Sequence, residues 1–222
     1  MSSLDEARQR HGEVLVSALM AVKGVTLSPD QPFIWRSGIQ SPIYVDARRL
    51  ISQPVFRKQL KESAVTLIQE RCIEKIKKDK FGIAAVATGG LPWGTLLADA
   101  LDVPLIYVRS NKKTYGKEQA IEGEIDFERH YMVVEDVIST GGSAIHAATA
   151  LREAGGQTSH VFALYTYELP QARTAFQNAD LTLWTLGTFF TLIDTMYKDR
   201  AFSSETYASL LSWHRSLQRS QA

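Results

Sequence analysis

The chain is poor in the features that would tie it to a membrane, to nucleic acid or to an oxidising compartment. Among its 222 residues there is one cysteine, Cys72, so no disulfide can form within it. A reducing cytoplasm is the expected compartment. No apolar run reaches the roughly 20 residues that span a bilayer. The most apolar stretch, Gly82 to Val108, is broken by Pro92, Asp99, Asp102 and Pro104. The opening residues MSSLDEARQRH are polar and lack the apolar segment of a signal peptide. Neither sign of charge dominates: the net charge is +1, without the basic excess that nucleic acid or an acidic membrane surface attracts. No G-x-G-x-x-G follows a strand and no G-K-[ST] occurs, so the dinucleotide and nucleoside triphosphate signatures are missing. Histidines 11, 130, 146, 160 and 214 do not stand at metal-ligand spacing.

What is present is a 45% hydrophobic chain long enough for one well-buried domain over residues 1–222. Residues Leu4 to Val22 read as an amphipathic helix, and Val25 to Val45 as short aromatic strands and turns. Pro54 to Lys77 reads as a second helix with Phe56, Leu60, Ala64, Leu67 and Ile68 on one face. Its last turn, KIKKDK, is a solvated basic end that complements the helix dipole. From Phe81 onward the pattern alternates. Strands are expected at Phe81 to Ala87, Val103 to Val108, Tyr131 to Val134, His160 to Tyr167 and Leu181 to Leu186. Between them lie a helix opening at TGGLPWG and an alanine-rich helix from Ser143 to Glu153, stopped by Gly155 and Gly156. Such alternation predicts an α/β fold, a central parallel sheet flanked by helices. In such sheets ligands bind beyond the carboxyl ends of the strands. Thr88-Gly89-Gly90, Arg109 and Glu135-Asp136 all fall at those ends. The polar stretch from 109 to 126 is too long to be an ordinary connection and is expected to act as a mobile lid. Ser203 to Ser216 reads as a packing helix, Cys72 as an inert helix residue, and the four tryptophans as core or interface residues.

The stretch YMVVEDVISTGGSA, residues 131–144, carries the most chemistry. Ser139, Thr140, Gly141, Gly142 and Ser143 lie between a strand end and a helix start. Glycines let successive N–H groups converge, the hydroxyls add donors, and the helix terminus adds positive potential. That is a cradle for a phosphate monoester. Glu135 and Asp136 would repel the same phosphate, so they must face another part of the ligand. Vicinal hydroxyls are donors that carboxylates accept well. A ribose 5-phosphate satisfies both requirements.

VVEDVISTGGS resembles the diphosphate-sugar signature of type I phosphoribosyltransferases. RSGIQSPIYVD at 36–46, and ATGGLPWG at 87–94 followed by YVRSNKKTYGKEQAIEG at 107–123, resemble the motifs of the orotate-specific members. The likeness runs from about Val25 to Tyr167 with matching order and spacing. It implies a type I phosphoribosyltransferase fold with a small N-terminal hood, drawn largely from residues 1–50, and a lid loop over 109–126. It implies 5-phosphoribosyl 1-diphosphate and orotate as substrates, and Mg2+ held mainly by the donor's diphosphate and ribose rather than by protein ligands. It implies a homodimer whose lid reaches the neighbouring subunit's site. By position, Arg109 and Lys113 match diphosphate binders, with Lys113 the catalytic lysine. Tyr115 stands beside them in the lid. Thr88, Gly89 and Gly90 match the loop under the diphosphate. Glu135, Asp136, Val137, Ile138 and the 139–143 cradle match the ribose and phosphate binder, Ser139 being the hydroxyl that touches orotate. Arg36 matches a ligand contact usually made by lysine.

Some positions depart from the pattern. Tyr115 replaces a common histidine, Ser110 and the Thr88-Gly89 pair replace residues that include lysines, and Glu168 stands where some relatives place an arginine for orotate. How the orotate carboxylate is held is therefore not carried over. Two other readings stay open: transfer to another base, such as a purine, and a regulator that senses the donor without catalysis. The 36–46 and 107–123 motifs weigh against the first. A donor-sensing regulator should carry a basic nucleic-acid face, and the net charge of +1 and the presence of Lys113 weigh against it. Lys113→Ala should lower turnover far more than it lowers the unfolding temperature. Wild-type turnover in that variant would remove the lid from the mechanism.

Overall fold

The computed structural model describes residues 3–35, 37–73, 76–109 and 120–219. A long helix α1 (Ser3–Ala21) leads into four short strands, β1 (Val25–Leu27), β2 (Phe33–Ile34), β3 (Gln40–Ser41) and β4 (Ile43–Val45). β1 pairs antiparallel with β4, and β2 with β3. After a 3-10 turn at Ala47–Ser52 comes α2 (Pro54–Ile68), which has proline in its first turn, where the missing N–H costs nothing. Leu60, Ala64, Leu67 and Ile68 of α2 are buried, as their spacing predicts. The regular helix stops earlier than expected and widens into a π turn at Gln69–Ile73, which buries Cys72.

The remaining elements are β5 (Phe81–Val86), α3 (Gly90–Leu101), β6 (Leu105–Val108), β7 (Ile121–Glu122), β8 (His130–Ile138), α4 (Gly142–Glu153), β9 (Gln157–Thr166), α5 (Pro170–Asn178), β10 (Thr182–Thr188), α6 (Phe189–Lys198) and α7 (Ser204–Arg219). The six-stranded sheet runs β10-β9-β8-β5-β6-β7. All pairs are parallel except β6 with β7. Helices α1 and α3 pack on the sheet along with α4 and α5. Every residue of β5 is buried, as expected of a parallel strand covered on both faces. Two helices were not anticipated. α5 is short and buries only Ala172 and Phe176, whereas α6 carries a clear helical period, Phe189, Leu192, Ile193 and Met196, directly after the last strand. Among the described residues no helix is long and apolar enough to cross a membrane.

The expected strand at Tyr131 to Val134 is longer than its apolar run. β8 pairs with β5 as far as Ala85↔Val134, but continues beside β9 through Glu135↔Ala163 to Ile138↔Thr166. The two acids therefore lie inside a strand, on the part that has lost its neighbour on one side. The chain order reverses between β5 and β8, and this switch point is where parallel α/β sheets open a crevice. On the other side of β5, β6 and β7 bring the two ends of the lid segment together: the Arg109 N–H donates to the Ala120 carbonyl at 2.8 Å. Residues 110–119, the body of the expected lid, lie outside the described residues.

Tyr167, just past β9, ties the N-terminal strands to this sheet. Its hydroxyl accepts the Val45 N–H at 2.8 Å, and its own N–H donates to the Ile138 carbonyl at 2.9 Å. The residue is 2% exposed. Tyr167→Phe keeps the ring but leaves a buried N–H unpaired, which costs about 1–3 kcal/mol. Urea unfolding should show a loss of that order. No change would mean that the Val45 N–H finds another acceptor.

Candidate active site

The rim at the carboxyl ends of β5, β6 and β8 is assembled by close backbone approach. Gly89 and Gly90 leave β5 and cross directly over the free side of β8. A Cβ on Gly90 would lie 2.2 Å from the Val134 carbonyl oxygen and 3.0 Å from Glu135 Oε2. A Cβ on Gly89 would lie 2.5 Å from the Asp136 carboxylate. At Gly90 the obstacle is strand backbone, so no side chain fits there, whereas at Gly89 the Asp136 carboxylate would have to shift. The Ala87–Thr88 peptide just before it is cis, and Thr88 is exposed.

Beyond β8 the chain makes the turn that the cradle requires. Gly141 has a φ of 84°, the left-handed region that favours glycine, and a Cβ there would strike the Phe176 ring at 2.5 Å. α4 starts immediately after it, with no side-chain cap on its first N–H groups. Gly142 and Ser143 are exposed, and nothing stands within 4 Å of a Cβ at Gly142. Uncapped N–H groups at the end of a twelve-residue helix are an anion site in waiting.

The acids are placed in unequal surroundings. Asp136 Oδ1 accepts the Val137 N–H at 2.8 Å. Burial raises the Asp136 pKa, opposed by that N–H and by the nearby Arg48 guanidinium. Glu135 Oε2 is buried without a hydrogen-bond partner. Burial, and secondarily the Asp136 charge, push the Glu135 pKa up to about 9. Glu135 thus holds its proton at neutral pH and offers an O–H donor as well as an acceptor.

The structure brings most of the expected residues to one rim. Thr88, Gly89 and Gly90 sit over Glu135 and Asp136, with Ser139, Thr140, Gly141, Gly142 and Ser143 directly downstream. Arg109 closes the β6 end, where its guanidinium lies 3.4 Å from Glu122. Val137 is half-buried. Ile138 has its side chain in the core, at 1% exposed, and its carbonyl accepts the Tyr167 N–H. Arg36, Lys113 and Tyr115 lie outside the described residues. Glu168 turns away, its N–H bonded to Thr166 Oγ1 at 3.1 Å and its carboxylate directed to the Phe190 N–H at the start of α6.

One group was missed. Arg48 bonds Asp46 through Nε at 2.7 Å and the Tyr44 hydroxyl through Nη2 at 3.2 Å, and its charge acts on Asp136. In the sequence it is one arginine of an Arg-Arg pair after a short strand, a signal that does not single it out. A separate cavity of about 450 Å³ lies between α1 and α6, lined by Glu13, Glu168 and Asp194. Its lining includes neither acid of the pair.

Comparison with known proteins agrees with this geometry. The family described as the phosphoribosyl transferase domain matches residues 55–178. A Bacteroides thetaiotaomicron protein named orotate phosphoribosyltransferase is 40% identical, covering 89% of this chain and 91% of its own. A Levilactobacillus brevis protein of the same name is 38% identical, covering 90% and 93%. Among solved structures, the orotate phosphoribosyltransferase of Aeropyrum pernix matches with a TM-score of 0.67 at 26% identity, over 83% of this chain and 98% of that one. Leishmania donovani UMP synthase matches with a TM-score of 0.72 over 91% of this chain and 42% of that one; at 24% identity it speaks for the fold alone.

The raised pKa of Glu135 has a thermodynamic consequence. Its carboxyl binds a proton more tightly when folded than when unfolded. The stability this contributes is complete below about 4.5 and is lost as pH rises through about 9. Glu135→Gln stays neutral throughout. Its Tm should fall less steeply than that of the wild type between those pH values, and equal slopes would show that Glu135 is ionised in the fold.

Proposed function

Because the chain belongs to the orotate phosphoribosyltransferase family, we propose that it transfers the phosphoribosyl group of 5-phosphoribosyl 1-diphosphate to orotate. The products are orotidine 5'-monophosphate and diphosphate, a step of de novo pyrimidine (UMP) synthesis. The observation that carries the reading is the acid pair on the free edge of β8, capped by Gly89-Gly90 and followed at once by an uncapped helix terminus. That order matches a ribose with a phosphate at one end and a leaving group at the other.

In this reading the 139–143 cradle anchors the 5-phosphate through backbone N–H groups and hydroxyls. Asp136 accepts a hydrogen bond from one ribose hydroxyl. Protonated Glu135 exchanges one with the other, which relieves the repulsion of two adjacent carboxylates. Thr88, Gly89 and Gly90 place backbone under the diphosphate. Orotate N1 attacks the anomeric carbon as the bond to diphosphate breaks, its proton passing to the departing diphosphate, and the sugar passes through an oxocarbenium-like state of the kind met in glycoside hydrolysis. Negative charge develops on the departing diphosphate. Arg109 and Lys113 stabilise it electrostatically, and lid closure excludes water as a competing nucleophile.

Magnesium fits this oxygen-rich site, since it prefers one or two carboxylates together with substrate phosphates. Among the described residues no group of three or more His, Cys, Asp or Glu could hold a metal. The ion would be held mainly by the donor's diphosphate and ribose, and it would supply charge neutralisation to the leaving group. A homodimer whose lid serves the neighbouring site, and a cytoplasmic location, complete the proposal.

Incubation with donor, Mg2+ and orotate should consume orotate absorbance and release diphosphate, while adenine or hypoxanthine in its place should give no nucleotide. Turnover of a purine would redirect the assignment to another base. Donor binding without turnover of any base would favour a sensor.

A further inference from the structure

Gly141 is the one buried residue of the 139–143 turn; Ser139 and Thr140 are half-buried, and Gly142 and Ser143 are exposed. On its Cβ side the nearest cover is one side chain. The three heavy atoms closest to a Cβ placed there are Cε2, Cδ2 and Cζ of Phe176, at 2.5, 3.1 and 3.5 Å. One edge of that ring therefore presses on the turn. Phe176 belongs to α5 and is 4% exposed. Its own carbonyl accepts the Leu181 N–H at 3.0 Å, and α5 packs on α4 and β10.

The turn has little of its own to hold it. Glycine has the most backbone freedom to lose, and two glycines stand here in succession. Nothing lies within 4 Å of a Cβ at Gly142, and α4 begins without a side-chain cap. The Ile145 N–H donates to the Gly141 carbonyl at 3.0 Å, which orients the peptide that follows Gly141. The Phe176 ring restricts the residue from its other side. The same ring lines a cavity of about 260 Å³ with Leu169, Ala172, Leu181 and Leu183. Gly141 is not part of that lining, so the ring stands between cavity and turn. Shortening the side chain would join the two spaces and give the turn room to move.

We propose that Phe176 is a positioning residue for the 5-phosphate: its ring props the Gly141 turn so that the N–H groups at the start of α4 stay converged on one anion. The inference rests on the function proposed above, in which this turn holds the 5-phosphate of donor and product. In that reading the diphosphate belongs to other elements, the 88–90 loop after β5 and Arg109 after β6. Loss of the ring therefore weakens one end of the ligand site and spares the other.

Calorimetric titration with two probes reads the two ends separately. Orotidine 5'-monophosphate carries the 5-phosphate, and inorganic diphosphate with Mg2+ does not. If the turn of Phe176→Ala keeps the cradle shape about a tenth of the time, orotidine 5'-monophosphate binds about tenfold more weakly, because apparent affinity scales with the competent fraction. Diphosphate affinity should stay within about twofold by the same argument. Phe176→Leu, which fills most of the volume but withdraws the ring edge, should fall between wild type and Phe176→Ala. In hydrogen exchange the Ile145 amide, bonded to Gly141, should exchange faster in Phe176→Ala while the amides of β5 do not. A general loss of packing would instead weaken both probes alike. Unchanged affinity for orotidine 5'-monophosphate, an equal loss for both probes, or an Ile145 amide no faster than in the wild type would each overturn the role of the ring. If Phe176→Ala does not fold, Phe176→Leu carries the same comparisons. If the wild type does not bind orotidine 5'-monophosphate, the proposed function has failed instead, and the Ile145 amide still decides whether Phe176 holds the turn.

Discussion

β8 runs on after β5 has stopped: its last partner there is Ala85, paired with Val134, while β9 accompanies it as far as Ile138. On the side that β5 vacates, Gly90 presses against the strand backbone at a distance that no side chain there would permit, and Gly89 lies against the Asp136 carboxylate. That contact puts the Thr88-Gly90 loop, the acid pair and the 139–143 turn on a single backbone scaffold. Nothing at the rim depends on a long flexible side chain to find its place. Preorganisation of this kind lets a site act through fixed dipoles and charges.

The same contact creates an electrostatic problem. Two successive carboxylates are carried into a partly desolvated crevice, where the charged forms are disfavoured. The environments of the pair resolve it by differing. Asp136 has a backbone donor and feels the Arg48 charge, whereas Glu135 is buried with one oxygen unpartnered and its pKa is pushed up further. Arg48 is itself held by Asp46 and Tyr44, so the short N-terminal strands contribute charge to the site as well as cover. A pair that looks repulsive when written side by side becomes one acceptor and one donor-acceptor.

The same N-terminal strands are anchored from the far end of the chain. Tyr167 accepts from Val45, packs on Trp35 and receives His214, so the hood, the sheet and α7 meet at one residue. An anchor that joins segments so distant in sequence leaves no local pattern. The segment holding Trp213 reads only as a packing helix, and Tyr167 as the last apolar residue of a strand.

Local chemistry was legible in the residues themselves. Apolar runs punctuated by glycine and proline marked the parallel sheet, and the small hydroxyl-rich turn after Glu135-Asp136 marked an anion cradle, because turn chemistry and strand burial are encoded by near neighbours. Three things were not legible. The apolar run of β8 ends at Val134, yet the strand goes on, because pairing with β9 and not hydrophobicity extends it. Arg48 joined the site because the fold brings its charge near enough to act on Asp136, which no spacing rule contains. Ile138 turned its side chain into the core and its carbonyl to Tyr167, a pairing with a segment that the motif around it does not name. The sequence by itself determined which segments turn, which are buried and which can cradle an anion. The tertiary structure decided which strand outlasts its neighbour, how unequally the two acids are surrounded and which distant helix meets the N-terminal strands, since each depends on burial and contact between segments far apart in the chain.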